Sequence, residues 1–216
     1  MSEVETRRTD HRAVTGLYAI TPSEPDTTEL LRKVRLALMG GARVLQYRNK
    51  IADDVMRLEQ ARALRELTYE FSVPLIINDD VMLAQQTDAD GVHLGGKDSS
   101  LIAARTVLGS SKLIGVSCYN RLELARMAVQ QGADYVAFGS FFPSAVKPDA
   151  VSATPDLLLR ARREITVPLV AIGGITVHNA GQLLEAGADA LAVISAVFAT
   201  TDIENAARQF SALNFF

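Results

Sequence analysis

Short β-branched or apolar runs alternate with longer stretches of helical apolar spacing along the chain, and this alternation restricts the fold more than any other feature. The candidate strands are 16–21, 43–48, 74–78, 90–94, 112–117, 134–139, 168–173 and 190–195. Between them lie helical patterns such as Leu30, Leu31, Val34, Leu38, then Val55, Leu58, Ala61, Leu64, Leu67, and Leu122, Leu124, Ala125, Ala128, Val129. Strand–helix alternation implies a parallel sheet. Eight units in 216 residues leave about 27 residues each, which a strand of about 5–6, a helix of about 11 and two short loops fill. A closed (β/α)₈ barrel typically needs about 250 residues, with about 200 as its floor. The predicted fold is therefore α/β, a lean single-domain (β/α)₈ TIM barrel over 14–216, preceded by a polar, flexible N-terminal tail at 1–13. A doubly wound open sheet is the alternative. It usually has fewer strands in this length, and no G-x-G-x-x-G follows the first strand. A weak internal repeat favours closure: Gly41-Ala42-Arg43, Gly132-Ala133-Asp134 and Gly187-Ala188-Asp189 each end a helix and open a strand.

Composition excludes several function classes. The net charge is −3, with 48% hydrophobic and 22% charged residues, so a broad basic face for nucleic acid is not expected. The longest apolar run, 167–175, holds two glycines and is too short to span a bilayer. A single cysteine, Cys118, forms neither an internal disulfide nor a zinc cage, and the chain is expected in the cytoplasm, where thiols stay reduced. The oligomeric state is open, with a homodimer allowed.

A barrel carries its chemistry where the strands end, and several strands here end in residues foreign to a core. The second runs into Gln46, Tyr47, Arg48, Asn49 and Lys50. Alternation puts Gln46, Arg48 and Lys50 on one side if the extended backbone persists, and two cations converging on the mouth suit an anionic ligand. The third ends Asn78-Asp79-Asp80. Hard carboxylate oxygens there suit Mg²⁺, and one aspartate can cap the next helix while the other meets the metal. The fourth is followed by a glycine turn and Asp98, and the fifth ends in Ser117. His93, on the fourth strand, reads as a packed or hydrogen-bonded histidine rather than a ligand, and Cys118 as a buried bystander thiol. The loop after the sixth strand carries Ser144, Ala145, Val146 and Lys147, and the glycines after the seventh strand, with Ile194 and Ser195 at the end of the eighth, suit a monophosphate at a helix start. Two anion sites are expected: a diphosphate with metal around strands two to five, and a monophosphate at strands seven and eight.

Taken together, Gly16-Leu-Tyr-Ala-Ile-Thr21, Gln46-Tyr-Arg-Asn-Lys50, Ile77-Asn-Asp79, Gly91-Val-His-Leu-Gly95 with Asp98, Gly115-Val-Ser117, the segment 139–147, Ala171-Ile-Gly-Gly-Ile175 and Val193-Ile-Ser195 resemble the thiamine phosphate synthase family over about 16–198. The resemblance implies a (β/α)₈ barrel with Mg²⁺ as cofactor. It implies that 4-amino-2-methyl-5-hydroxymethylpyrimidine diphosphate is joined to 4-methyl-5-(2-phosphoethyl)thiazole, after dissociative loss of diphosphate. On that resemblance Gln46 and Asn78 hold the pyrimidine, within a substrate-binding segment that also includes Tyr47 and Asn49. Arg48, Lys50, Ser117 and Lys147 act on its diphosphate. Asp79 and Asp98 hold the metal, and Ser144, Ala145, Val146, Gly174, Ile194 and Ser195 line the thiazole phosphate site. Family members often carry threonines after the sixth strand; Ser144 keeps a hydroxyl there and Val146 does not. The rival readings are a thiazole tautomerase-like isomerase, which has no use for a diphosphate–metal site, a non-catalytic phosphometabolite-binding protein, and a phosphosugar isomerase, which needs an acid–base pair.

Overall fold

The computed structural model describes residues 14–95, 100–143 and 152–215. Its elements follow the predicted order: β1 (Gly16–Ile20), α1 (Thr27–Met39), β2 (Val44–Tyr47), α2 (Asp54–Glu70), β3 (Leu75–Asn78), α3 (Val81–Gln86), β4 (Gly91–Leu94), α4 (Leu101–Leu108), β5 (Leu113–Tyr119), α5 (Leu122–Gln130), β6 (Tyr135–Phe138), α6 (Pro155–Arg162), β7 (Leu169–Ile172), α7 (Val177–Glu185), β8 (Ala190–Val193), α8 (Ser195–Phe198) and α9 (Ile203–Ser211). The strands are parallel, and β8 pairs with β1, with Leu17 beside Leu191, to close an eight-stranded barrel. The open-sheet alternative is thereby excluded. No helix among the described residues is long and apolar enough to cross a membrane.

The period of two along each strand divides the apolar residues into two cores. Outward positions such as Leu17, Leu45, Leu75, Ile114 and Leu169 pack with Leu30, Val34, Leu64, Leu158 and Leu183 of the surrounding helices. Inward positions, among them Val44, Ile76, Leu113, Val170 and Ala190, fill the barrel axis with Tyr18 and Tyr135. Fully burying a leucine-sized side chain is worth roughly 1.5–3 kcal/mol, so the outer layer, with most of the large side chains, dominates stability.

Helix starts are set by side chains that accept first-turn amides: Asp26 for α1, Asp53 for α2, Asp80 for α3, Ser100 for α4 and Asp202 for α9. The Gly-Ala repeat behaves as the sequence predicts. Gly41, Gly132 and Gly187 have φ of +96°, +92° and +100°, the left-handed turn that reverses the chain into the next strand.

Aspartates just before three of the strands form a repeated clamp at the end of the barrel where strands begin. Asp90, Asp134 and Asp189 each accept the backbone N–H that opens the preceding strand pair, from Leu75, Ile114 and Leu169 respectively, at 2.7–2.8 Å. Each also meets an arginine of the nearby helix: Arg65, Arg105 and Arg162. At the equivalent point before β2 the chain has Arg43 instead.

Candidate active site

At the opposite end, where strands stop, two cavities adjoin. The central one, about 410 Å³, descends into the barrel between Tyr18, Gln46, Arg48, Asn78, His93 and Ser117 on one side, and Ile172, Gly173, Gly174, Ile194 and Ser195 on the other. The second, about 610 Å³, is a bay lined by Tyr47, Arg48, Asn49, Lys50, Arg57, Asn78, Asp79 and Asp80. Arg48 and Asn78 belong to both walls, so they stand at the junction.

Gln46 is an inward residue of β2, buried, and its Nε2 donates to Tyr18 Oη at 2.8 Å. Arg48 lies just past the strand. Its N–H donates to Thr21 Oγ1 at 2.9 Å, and that hydroxyl donates back to the Arg48 carbonyl at 3.2 Å. The fully buried Thr21 thus fixes the backbone that carries the guanidinium. Burial lowers the Arg48 pKa, and the neighbouring Asp79 carboxylate works against that shift. A guanidinium remains charged under such conditions, so Arg48 is a cation held partly out of water, the state in which an anionic ligand is most strongly attracted.

The extended backbone expected through Lys50 does not persist, because β2 stops at Tyr47. The reason is Asn49, whose Oδ1 accepts from the amides of Ile51 and Ala52 and whose Nδ2 donates to the Glu24 carbonyl and to Gln60 Oε1. These local bonds turn the chain. Lys50 consequently lines only the bay and is exposed, rather than sharing the barrel's inner face with Gln46. Tyr47 points outward to the helices, where its hydroxyl donates to Gln60 at 2.9 Å. The side-chain polar groups of Tyr47 and Asn49 are therefore engaged by the wall that supports the bay.

On β3, Asn78 Nδ2 donates to Asp79 Oδ2 at 2.6 Å. Asp79 has φ +65°, and its amide donates to the His93 carbonyl at 2.8 Å. Asp80 caps α3 by accepting from Leu83 N. The expected cap is present at Asp80, and Asp79 sits on the bay wall beside Arg48. Among the described residues no group of three or more His, Cys, Asp or Glu could enclose a metal. One carboxylate beside cationic walls fits Mg²⁺, which is often held by one or two carboxylates plus substrate phosphates. Asp98, Ser144, Ala145, Val146 and Lys147 lie outside the described residues, so the second predicted metal ligand and the predicted loop contacts are not positioned here.

Ser117 faces the central cavity, with its Oγ 2.9 Å from His93 Nε2, while His93 Nδ1 is 3.1 Å from Tyr135 Oη. Its chain neighbour Cys118 faces the helices and is buried, and burial pushes the thiol pKa up to about 12. Across the cavity, Gly174 lines the wall after β7, and Ile194 opens α8, whose first amides have no intrahelical acceptor. Sequence reasoning missed Tyr18 and Tyr135. Both occupy strand positions that read as ordinary core, and only their register reveals that they bond to each other.

Known proteins share this fold and much of this sequence. The family model described as thiamine monophosphate synthase matches residues 17–197. The chain is 55% identical over 200 residues to the thiamine-phosphate synthase of Methylobacillus flagellatus, covering 93% of this chain and 95% of that one. It is 52% identical over 198 residues to that of Thiobacillus denitrificans, covering 92% and 94%. Thiamine phosphate pyrophosphorylase from Pyrococcus furiosus superposes with a TM-score of 0.84 at 36% identity, over 93% of this chain and 96% of that structure. A (β/α)₈ transferase with its cavities at the strand ends, this chain belongs to the thiamine-phosphate synthase family.

Proposed function

We propose that the protein transfers the 4-amino-2-methyl-5-pyrimidinylmethyl group from its diphosphate to 4-methyl-5-(2-phosphoethyl)thiazole, giving thiamine phosphate and diphosphate with Mg²⁺ present. The observation that carries this reading is the junction at Arg48 and Asn78, where a partly apolar central cavity opens into a bay with cations and a carboxylate. An aromatic ring in the first cavity would set its diphosphate in the second.

In this reading the C–O bond of the pyrimidine diphosphate breaks first, and its electron pair leaves with the diphosphate. The thiazole nitrogen then gives its lone pair to the resulting pyrimidinylmethyl cation. No proton needs to move, so no acid–base dyad is required. Gln46 and Asn78 hold the pyrimidine. Arg48 and Lys50, with Lys147 from the loop after β6, meet charge that develops on the leaving group, which is the kind of preorganised electrostatic stabilisation that lowers barriers most. Ser117 donates to the same group. Asp79 and Asp98 would hold Mg²⁺, whose contribution when bound is to neutralise charge on the leaving diphosphate. Gly174, Ile194 and Ser195, with Ser144, Ala145 and Val146, hold the thiazole phosphate and keep the two substrates aligned. Tyr47 and Asn49 support the bay through Gln60.

The test is diphosphate release by purified protein given the pyrimidine diphosphate, with and without the thiazole phosphate and with and without Mg²⁺. Release that needs all three, with thiamine phosphate as co-product, is the expected result. Binding of the thiazole phosphate without any release would instead leave an isomerase or a binding protein.

A further inference from the structure

Inside the barrel a single line of hydrogen bonds joins two pocket residues that lie on different strands. Gln46 Nε2 donates to Tyr18 Oη at 2.8 Å. Tyr18 Oη is 2.9 Å from Tyr135 Oη, which is 3.1 Å from His93 Nδ1, and His93 Nε2 is 2.9 Å from Ser117 Oγ. Gln46, Tyr18, His93 and Ser117 line the central cavity, and Tyr135 does not: it is fully buried behind them.

Tyr135 reaches His93 because the strand between them has no side chain at that level. The register places His93 beside Gly115 and Gly115 beside Tyr135. A Cβ on Gly115 would stand 1.9 Å from Tyr135 Cζ and 2.4 Å from its Oη. The tyrosine ring therefore occupies the glycine's vacated space and stacks on the His93 ring at 5.5 Å between centroids.

The line can be ordered in one direction throughout, from Gln46 to Ser117. Burial raises the pKa of both phenols, so each keeps one proton to place. Two orders satisfy every pair; in the one that leaves a proton on Ser117 for the cavity, Tyr18 accepts from the Gln46 amide and gives its own proton to Tyr135. Tyr135 then gives its proton to His93 Nδ1. In that order His93 carries its proton on Nε2 and donates it to Ser117, and the Ser117 proton is left for the cavity. A buried donor or acceptor left without a partner is costly, so each member holds its neighbours in this order.

We propose that Tyr135 is a positioning residue: through Tyr18 and His93 it fixes which hydrogen-bonding groups Gln46 and Ser117 turn toward the substrate. Ser117 is thereby committed as a donor to an anionic oxygen, and the Gln46 amide is held against rotation. The inference rests on the function proposed above for the identity of that substrate, but the direction of the line does not.

Two measurements test it. In the unmodified protein, long-range proton–nitrogen correlation spectra should show His93 as the Nε2–H tautomer, assigned by comparison with His11→Gln and His178→Gln variants. The Nδ1–H tautomer would overturn the proposal. In steady-state assays, Tyr135→Phe keeps the ring in the Gly115 gap and should lower kcat/KM for the pyrimidine diphosphate roughly tenfold, with the KM for thiazole phosphate changed less than about twofold. Combined with Ser117→Ala it should cost no more than Ser117→Ala alone, because both act through one contact. Additive losses, or a loss shared equally by both substrates, would mean that Tyr135 is only structural. If the unmodified protein forms no thiamine phosphate, the functional reading fails, and the tautomer still decides the direction of the line.

Discussion

Where the strands begin, Asp90, Asp134 and Asp189 each meet an arginine and a strand-opening amide. Where they stop, Arg48 and Lys50 face a cavity, and among the described residues neither has a carboxylate within salt-bridge distance. The same charged residue types thus serve the two ends differently. Charges satisfied by the protein itself lock strand to strand and helix to strand. Charges left facing a cavity are open to a ligand, and they lower the stability the fold could otherwise have. Barrels commonly divide stability and chemistry between their ends in this way.

Substitutions at the two ends should separate these roles. The largest effect is expected at the mouth. Arg48→Ala removes the cation that we propose meets the leaving group and should lower kcat by about 10²–10³-fold, while the melting temperature stays within about 2 °C. A change confined to KM would show that Arg48 only binds substrate. At the other end Asp134→Ala leaves the buried Ile114 amide without its acceptor and Arg105 without its carboxylate, though still bonded to the carbonyls of Gly109, Lys112 and Gly132. The expected cost is about 3 kcal/mol, or about 6–12 °C in melting temperature for a chain of this size, with kcat per folded molecule unchanged. Asp90→Ala should cost less, about 1–2 kcal/mol, because its pair with Arg65 is more exposed than the Arg105–Asp134 pair. If the two substitutions cost the same, burial is not what grades the clamps.

Asp79 gives a subtler effect at the mouth. Asparagine tolerates a φ of +65° better than most residues, so Asp79→Asn changes the charge and keeps the turn. The Mg²⁺ concentration for half-maximal rate should rise about tenfold. An unchanged titration would remove Asp79 from the metal site.

How much of this was legible in the sequence follows from the range of the interactions. Alternating apolar texture is local, and it locates all eight strands. Gln46, Arg48 and Asn78 are legible because a polar residue at the end of an apolar strand is anomalous without any partner being known. Lys50 is misplaced by alternation because the turn at Asn49 depends on Gln60 and Glu24, which are distant in sequence. The Asp134 and Asp189 of the Gly-Ala-Asp repeat look like strand openings, and their clamp appears only when helix and strand are seen to meet. Tyr18 and Tyr135 are 117 residues apart and read as core aromatics. Nothing in a strand pattern distinguishes a tyrosine whose hydroxyl is bonded across the barrel from a phenylalanine-like one.

The smallest expected effect contrasts two neighbours on β5. Ser117 and Cys118 lie at the same end of one strand, yet alternation turns the first into the cavity and the second against the helices. Burial raises the thiol pKa to about 12, so between pH 6 and about 9 the group stays protonated and a poor nucleophile. Raising the pH across that range should therefore not make it reactive, as it would an exposed thiol with a pKa near 8.5. A disulfide reagent added at pH 8 should react with about one thiol per chain after denaturation, and with almost none before it, leaving activity unchanged. Rapid labelling of the native protein accompanied by loss of activity would mean that β5 opens at the cavity edge, and that the mouth shares less of the rigidity of the strands below it.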